Sequence, residues 1–104
     1  MTHLTDGYIA NAVVVLSDLD RRGFPSPIQN SYRMDFFRPV VNVDGYYTSI
    51  KITSDVSTEL LLEKEIEVLA YFMPGPFELV TGKTYYLMMS SRRIGTILIQ
   101  QFIQ

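Results

Sequence analysis

The chain's 104 residues, 47% of them apolar, are material for one domain around one hydrophobic core. The absence of cysteine excludes disulfides, thiolate metal ligands and cysteine nucleophiles. A net charge of −2 sets up no global field to attract nucleic acid or anionic lipid.

Met1 to Gly7 lack the basic start and apolar run of a secretory signal. No apolar run approaches the ~20 residues that span a bilayer as a helix. The lack of cysteine, and so of disulfides, suits a reducing cytosol, and a cytoplasmic domain is expected. The first apolar run, Tyr8 to Leu16, carries Ala12-Val13-Val14-Val15-Leu16 and reads as a well-buried strand. Asp18 to Asn30 reads as a polar loop, because Pro25 and Pro27 fix their own φ and exclude helix around them. Ser31 to Arg38 is strand-like, and Asp44-Gly45 is a strong turn signal. Tyr46 to Thr53 then alternates, with Tyr46, Thr48, Ile50 and Ile52 on one face and Tyr47, Ser49, Lys51 and Thr53 on the other.

Ser57 to Ala70 is rich in helix formers, and Asp55 or Ser57 suits a helix cap. Glu65, Ile66, Glu67 and Val68 nevertheless alternate with period two. In a chain otherwise built of strands, pairing overrides propensity, so Glu65 to Phe72 is expected to be a strand. Met73-Pro74-Gly75-Pro76 and Thr81-Gly82-Lys83 are breaks, and Tyr85 to Met89 and Ile94 to Ile103 read as closing strands joined across Ser90 to Arg93. Short strands cut by frequent turns specify an all-β domain, an antiparallel, closed or nearly closed barrel of about six strands.

The segment Gly23-Phe24-Pro25-Ser26-Pro27 followed by Tyr32-Arg33-Met34-Asp35-Phe36 resembles the C-terminal β-barrel of bacterial elongation factor Tu. In that family a Gly, a Thr-Pro and a Gly-Tyr-Arg-Pro-Gln-Phe recur at this spacing. Pro76, Gly82, Tyr85, Leu87, Arg92, Ile94 and Gly95 track its His-Pro-Ile segment and final hairpin, and Ala12 to Asp18 its opening strand, so the resemblance covers nearly the whole chain. It implies the same barrel, here without the GTPase. The family barrel also helps hold aminoacyl-tRNA, and there this chain departs: Phe24-Pro25 replace an Arg-His, Asp35 replaces a Gln, and Gln101 replaces a Lys. Arg33 alone survives among those positions. Phosphate contacts supply most nucleic-acid affinity, so tRNA delivery is not expected.

Chemistry finds little support. Thr81-Gly82-Lys83-Thr84 lacks the earlier glycine of a phosphate loop, since position 77 is Phe77. Asp18 to Gly23 opens like a calcium loop, but Arg22 and Gln29 stand where acidic ligands belong. With His3 the only histidine, neither a transition-metal cluster nor a Ser-His-Asp arrangement can be built within one chain. Glu63, Glu65 and Glu67 read as solubilising charges on one strand face. No catalytic residue, metal or cofactor is expected.

A binding surface remains. Arg33, Arg38, Tyr46 and Tyr47 lie close in sequence, a mix suited to anchoring a protein partner or stacking on bases. Arg92 and Arg93 form a basic tip, as do Arg21 and Arg22. The expectation is a non-catalytic module that binds a protein partner, self-association included. A translation-related RNA-binding or tRNA-binding domain is the alternative, disfavoured by charge.

Overall fold

Strand β1, Tyr8–Leu16, sets the plan of the molecule. Its even positions Ala10, Ala12, Val14 and Leu16 are buried, whereas Ile9, Asn11, Val13 and Val15 face outward, the period-two division of a strand with one face on a core. The computed structural model describes residues 8–17, 31–33, 39–54, 59–61, 63–89 and 92–103, with 31–33 and 59–61 described as backbone.

The other strands are β2 Ser31–Arg33, β3 Val40–Val43, β4 Tyr46–Thr53, β5 Glu59–Leu61, β6 Glu65–Phe72, β7 Thr84–Met89 and β8 Arg92–Phe102. Six of them close into a barrel in the order β1-β6-β4-β3-β7-β8, every neighbouring pair antiparallel. Closure removes the free edges that make open sheets prone to aggregate. No helix occurs among the described residues, so none is long and apolar enough to cross a membrane.

Turn chemistry fixes two corners. Asp44 and Gly45 both have positive φ, 52° and 93°, which makes the β3–β4 link a two-residue hairpin of the kind whose twist matches its strands. The Asn42 side chain accepts a hydrogen bond from the Gly45 amide at 2.9 Å. Gly82, at φ 86°, turns the chain from Val80 to Lys83, where the Lys83 amide bonds to the Val80 carbonyl at 3.2 Å. Strand β7 begins directly after Thr81-Gly82-Lys83.

The barrel is filled by Leu16, Ile52, Leu87, Ile94, Ile97 and Ile99, with the small Ala10, Ala12 and Ala70 also fully buried. Tyr85 is buried among them, and its hydroxyl accepts a hydrogen bond from the Val80 amide at 2.9 Å. Strand β8 changes phase twice. Leu87 pairs with Gly95 and Met88 with Arg93, leaving Ile94 as an extra residue, and Gln100 is skipped in the same way between the partners of Asn11 and Ala12. Such bulges re-aim side chains and sharpen the local bend a small barrel needs.

Several strand expectations change. The strand expected over Ser31 to Arg38 is described only over Ser31–Arg33, and it lies outside the barrel, paired with β5. Strand β3 takes the barrel position beside β4 instead. Arg92 and Arg93, expected in a turn, belong to β8 opposite Met89 and Met88. The Asp18 to Asn30 loop, with its calcium-like opening and Arg21-Arg22, lies outside the described residues, as do His3, Asp35 and the cap positions Asp55 and Ser57.

Candidate binding face

On β4 the burial alternates as the sequence predicts from Thr48 onward: Thr48, Ile50 and Ile52 are buried, and Ser49, Lys51 and Thr53 are exposed. Tyr46 and Tyr47 are both exposed, at 50% and 59%. Tyr46 has the inward parity of Thr48, but it sits at the hairpin, where the barrel interior ends.

Register carries the pattern across the barrel. Tyr47 lies opposite Asn42 on β3, and Asn42 lies opposite Tyr86 on β7. Tyr86 is 41% exposed, so two outward tyrosines flank the short Asn42 side chain on neighbouring strands. Beside them the Arg93 guanidinium lies 4.1 Å from the Tyr86 ring centroid, within the range of a cation–π contact. The guanidinium sits over the ring while Arg93 as a whole stays exposed.

The hairpin end of this face is tied down. Lys83 donates to Asp44 at 3.0 Å, and its ammonium lies 5.1 Å from the Tyr85 ring. The Asp44 hydrogen bond, the largest influence, raises the Lys83 pKa above its ordinary value; partial burial opposes it, and the charges of Asp44 and Tyr85 reinforce it. Lys83 therefore ties the turn before β7 to the β3–β4 hairpin.

The structure thus brings Tyr47, Tyr86 and Arg93 to one side of the barrel, with Tyr46 exposed at the hairpin where β4 begins. Arg92 stands at the end of β8, half-buried and engaged in contacts of its own. Arg33 lies on β2, outside the barrel, where only the backbone is described, and Arg38 lies outside the described residues. Sequence reasoning misses Tyr86. The signal is present, because Tyr85 and Leu87 read as inward and Tyr86 between them must then point outward. Glu65 and Glu67 are exposed on β6, opposite Val15 and Val13 of β1. Among the described residues no three acidic or histidine side chains are placed to hold a metal ion.

No protein-family model matches this chain, and no curated protein is detectably similar to it. The functional reading therefore rests on the face itself.

Proposed function

We propose that this domain is a non-catalytic binding module that docks a protein partner on the tyrosine face of β4, β3 and β7. The observation that carries the reading is the row Tyr47–Asn42–Tyr86, with the Arg93 guanidinium over the Tyr86 ring. Tyrosine and arginine are the residues that most often dominate interface energies, because each buries a large rigid surface and keeps a polar group for orientation. Exposed in one group on a closed barrel, they form an anchor patch with little conformational entropy left to lose.

The resemblance to the elongation factor Tu barrel supports the same reading. In that factor the barrel buries surface against two neighbouring domains, so a barrel of that kind has outer faces suited to protein contacts. Barrels of one architecture host many functions, and the partner is argued from the face rather than the fold. The RNA-binding alternative has one feature in its favour, the Arg93–Tyr86 stack, since aromatic and guanidinium planes also stack on bases. Against it stand the net charge of −2 and the pairing of Lys83 with Asp44.

The test is capture from the source cell on the immobilised domain, in parallel with a Tyr47→Ala/Tyr86→Ala double variant. A protein retained as salt rises from about 0.1 to 0.5 M, and lost with the double variant, is the expected result. Recovery of RNA that elutes steeply over that range would transfer the assignment to the alternative.

A further inference from the structure

A cleft of about 600 Å³ opens over β4, β6 and the start of β1, lined by Tyr8, Ile9, Ser49, Lys51, Thr53 and Tyr71 with Ile50, Phe72 and Met73 at its floor and rim. Its position is set by the register. Lys51 pairs with Tyr71 and Tyr71 with Ile9, which puts one cation, one phenol and one aliphatic side chain in a row across three strands. The β4–β6 ladder ends at Ile50 and Phe72, after which the chain leaves through Met73-Pro74-Gly75. Met73 is held there by its amide on the Ser49 carbonyl, 3.1 Å, and by its carbonyl accepting from the Thr48 hydroxyl, 3.0 Å. The departing chain forms a fixed wall at one side. At the other end Tyr8 is braced by the Phe77 and Phe102 rings, at centroid distances of 6.3 and 5.9 Å.

The electrical character of the cleft is one-sided. Among the described residues that line it, Lys51 is the one ionised side chain and none carries a carboxylate. Among the described residues none forms an ion pair with Lys51, in contrast to Lys83, which Asp44 neutralises. The polar groups beside it are the hydroxyls of Ser49, Thr53 and Tyr71, all able to donate to an anion. The remaining walls are aromatic, aliphatic and thioether. The volume falls within the ~300–1,000 Å³ typical of small-molecule sites, which combine apolar walls with a few converging polar groups.

We propose that this cleft binds a small amphipathic carboxylate, its apolar body against Ile9, Tyr71 and Met73 and its carboxylate on the Lys51 ammonium and neighbouring hydroxyls. A neutral apolar molecule would leave the ammonium unanswered, and a cationic one would be repelled by it. An inorganic anion would leave the apolar walls wet. The site is separate from the tyrosine face: Tyr86 and Arg93 do not line it, so the two assignments stand or fall independently.

The probe is dodecanoate below its micellar concentration, set against dodecanol and dodecyltrimethylammonium, with binding followed by heteronuclear NMR on the full chain. Saturable shifts at Ile9, Lys51, Tyr71 and Met73 are expected for dodecanoate, with dodecanol at least several-fold weaker and the cation without effect. Lys51→Met, which keeps the aliphatic stem, should weaken dodecanoate about tenfold, as for loss of one charge-assisted hydrogen bond, and bring its affinity to that of dodecanol. Lys64→Met and Tyr86→Ala should leave it unchanged. Equal affinity for acid and alcohol, shifts centred elsewhere, or an unaffected Lys51→Met would each overturn the proposal. So would binding to anionic phospholipid vesicles that dodecanoate cannot displace, because the cleft would then serve a membrane surface.

Discussion

Gly95 lies so close to Val15 that a β-carbon on Gly95 would run into the Val15 carbonyl oxygen and come within 3.0 Å of the Leu16 α-carbon. The obstacle is backbone on both counts, so no side-chain rotation relieves it. Gly95 sits directly after the extra residue Ile94, where β8 bends to meet the end of β1, and the Ser17 amide bonds to the Ile94 carbonyl at 2.9 Å. Closure of the barrel at this corner therefore depends on a missing side chain.

Gly95→Ala is expected to destabilise the domain by about 1–3 kcal/mol, the usual cost of forcing atoms into a packed site, and Gly95→Val by more. Gly45→Ala is the contrasting substitution. A β-carbon there meets nothing within 4 Å, and the cost comes only from the φ of 93°. Urea unfolding should show both losses, but amide exchange at Ser17 and Leu16 should quicken locally only for Gly95→Ala.

Thr48 is the one buried polar side chain among the described residues, and its hydroxyl bonds the Met73 carbonyl where the β4–β6 ladder stops. Thr48→Val keeps the shape and removes the donor. Stability should fall by about 1 kcal/mol, and the Met73 amide, bonded to Ser49, should exchange faster. An unchanged exchange rate at Met73 would show that the departing chain is held by other contacts.

Legibility in the sequence differs by strand. Tyr46–Thr53 and Glu65–Phe72 have the bounds expected from alternation and Tyr8–Leu16 those expected from its apolar run, because each runs eight or nine residues with one face on the core. Strand β3 is hidden because Val40–Val43 is only four residues long, between Pro39 and Asp44, too short to display a period. Strand β5 is masked by Glu and Leu, good helix formers that here pair with Ser31–Arg33. The bulges at Ile94 and Gln100 cannot be read locally, since they answer to the closure of β8 on β1 and β7. On the candidate face, Tyr46 and Tyr47 are legible from the hairpin. The stack of Arg93 on Tyr86 is not, because the register across β7 and β8 is displaced by that same bulge.

Tyr85 joins the core to the turn before β7. Its ring is buried, and its hydroxyl accepts from the Val80 amide at 2.9 Å. Tyr85→Phe should cost about 1 kcal/mol through that hydrogen bond alone, with the fold retained. Tyr85→Ala should cost about 3–5 kcal/mol by opening a cavity. A Tyr85→Phe variant as stable as the parent in chemical unfolding would show that water replaces the hydroxyl at Val80 without loss.

The Lys83–Asp44 pair yields a pH prediction whose sign can be worked out. The hydrogen bond to Asp44 favours the charged ammonium, so the folded Lys83 pKa lies above the ordinary 10.5. A group whose pKa rises on folding binds its proton more tightly in the native state. Its contribution to stability is therefore fully present below the ordinary lysine value and is lost as pH climbs through the raised one. Nothing from this pair should change with pH between about 6 and 9. Following the Lys83 side-chain resonances through an alkaline titration should give a value above the ordinary 10.5, and Asp44→Asn should return it toward that value. The Gly45 amide, bonded to Asn42 within the same turn, is the local reporter: its exchange should quicken in Asp44→Asn if the pair braces the hairpin against the start of β7. A Lys83 titration identical with and without the Asp44 carboxylate would mean that the pair does not persist in solution, and the hairpin end of the tyrosine face would then be held by turn geometry alone.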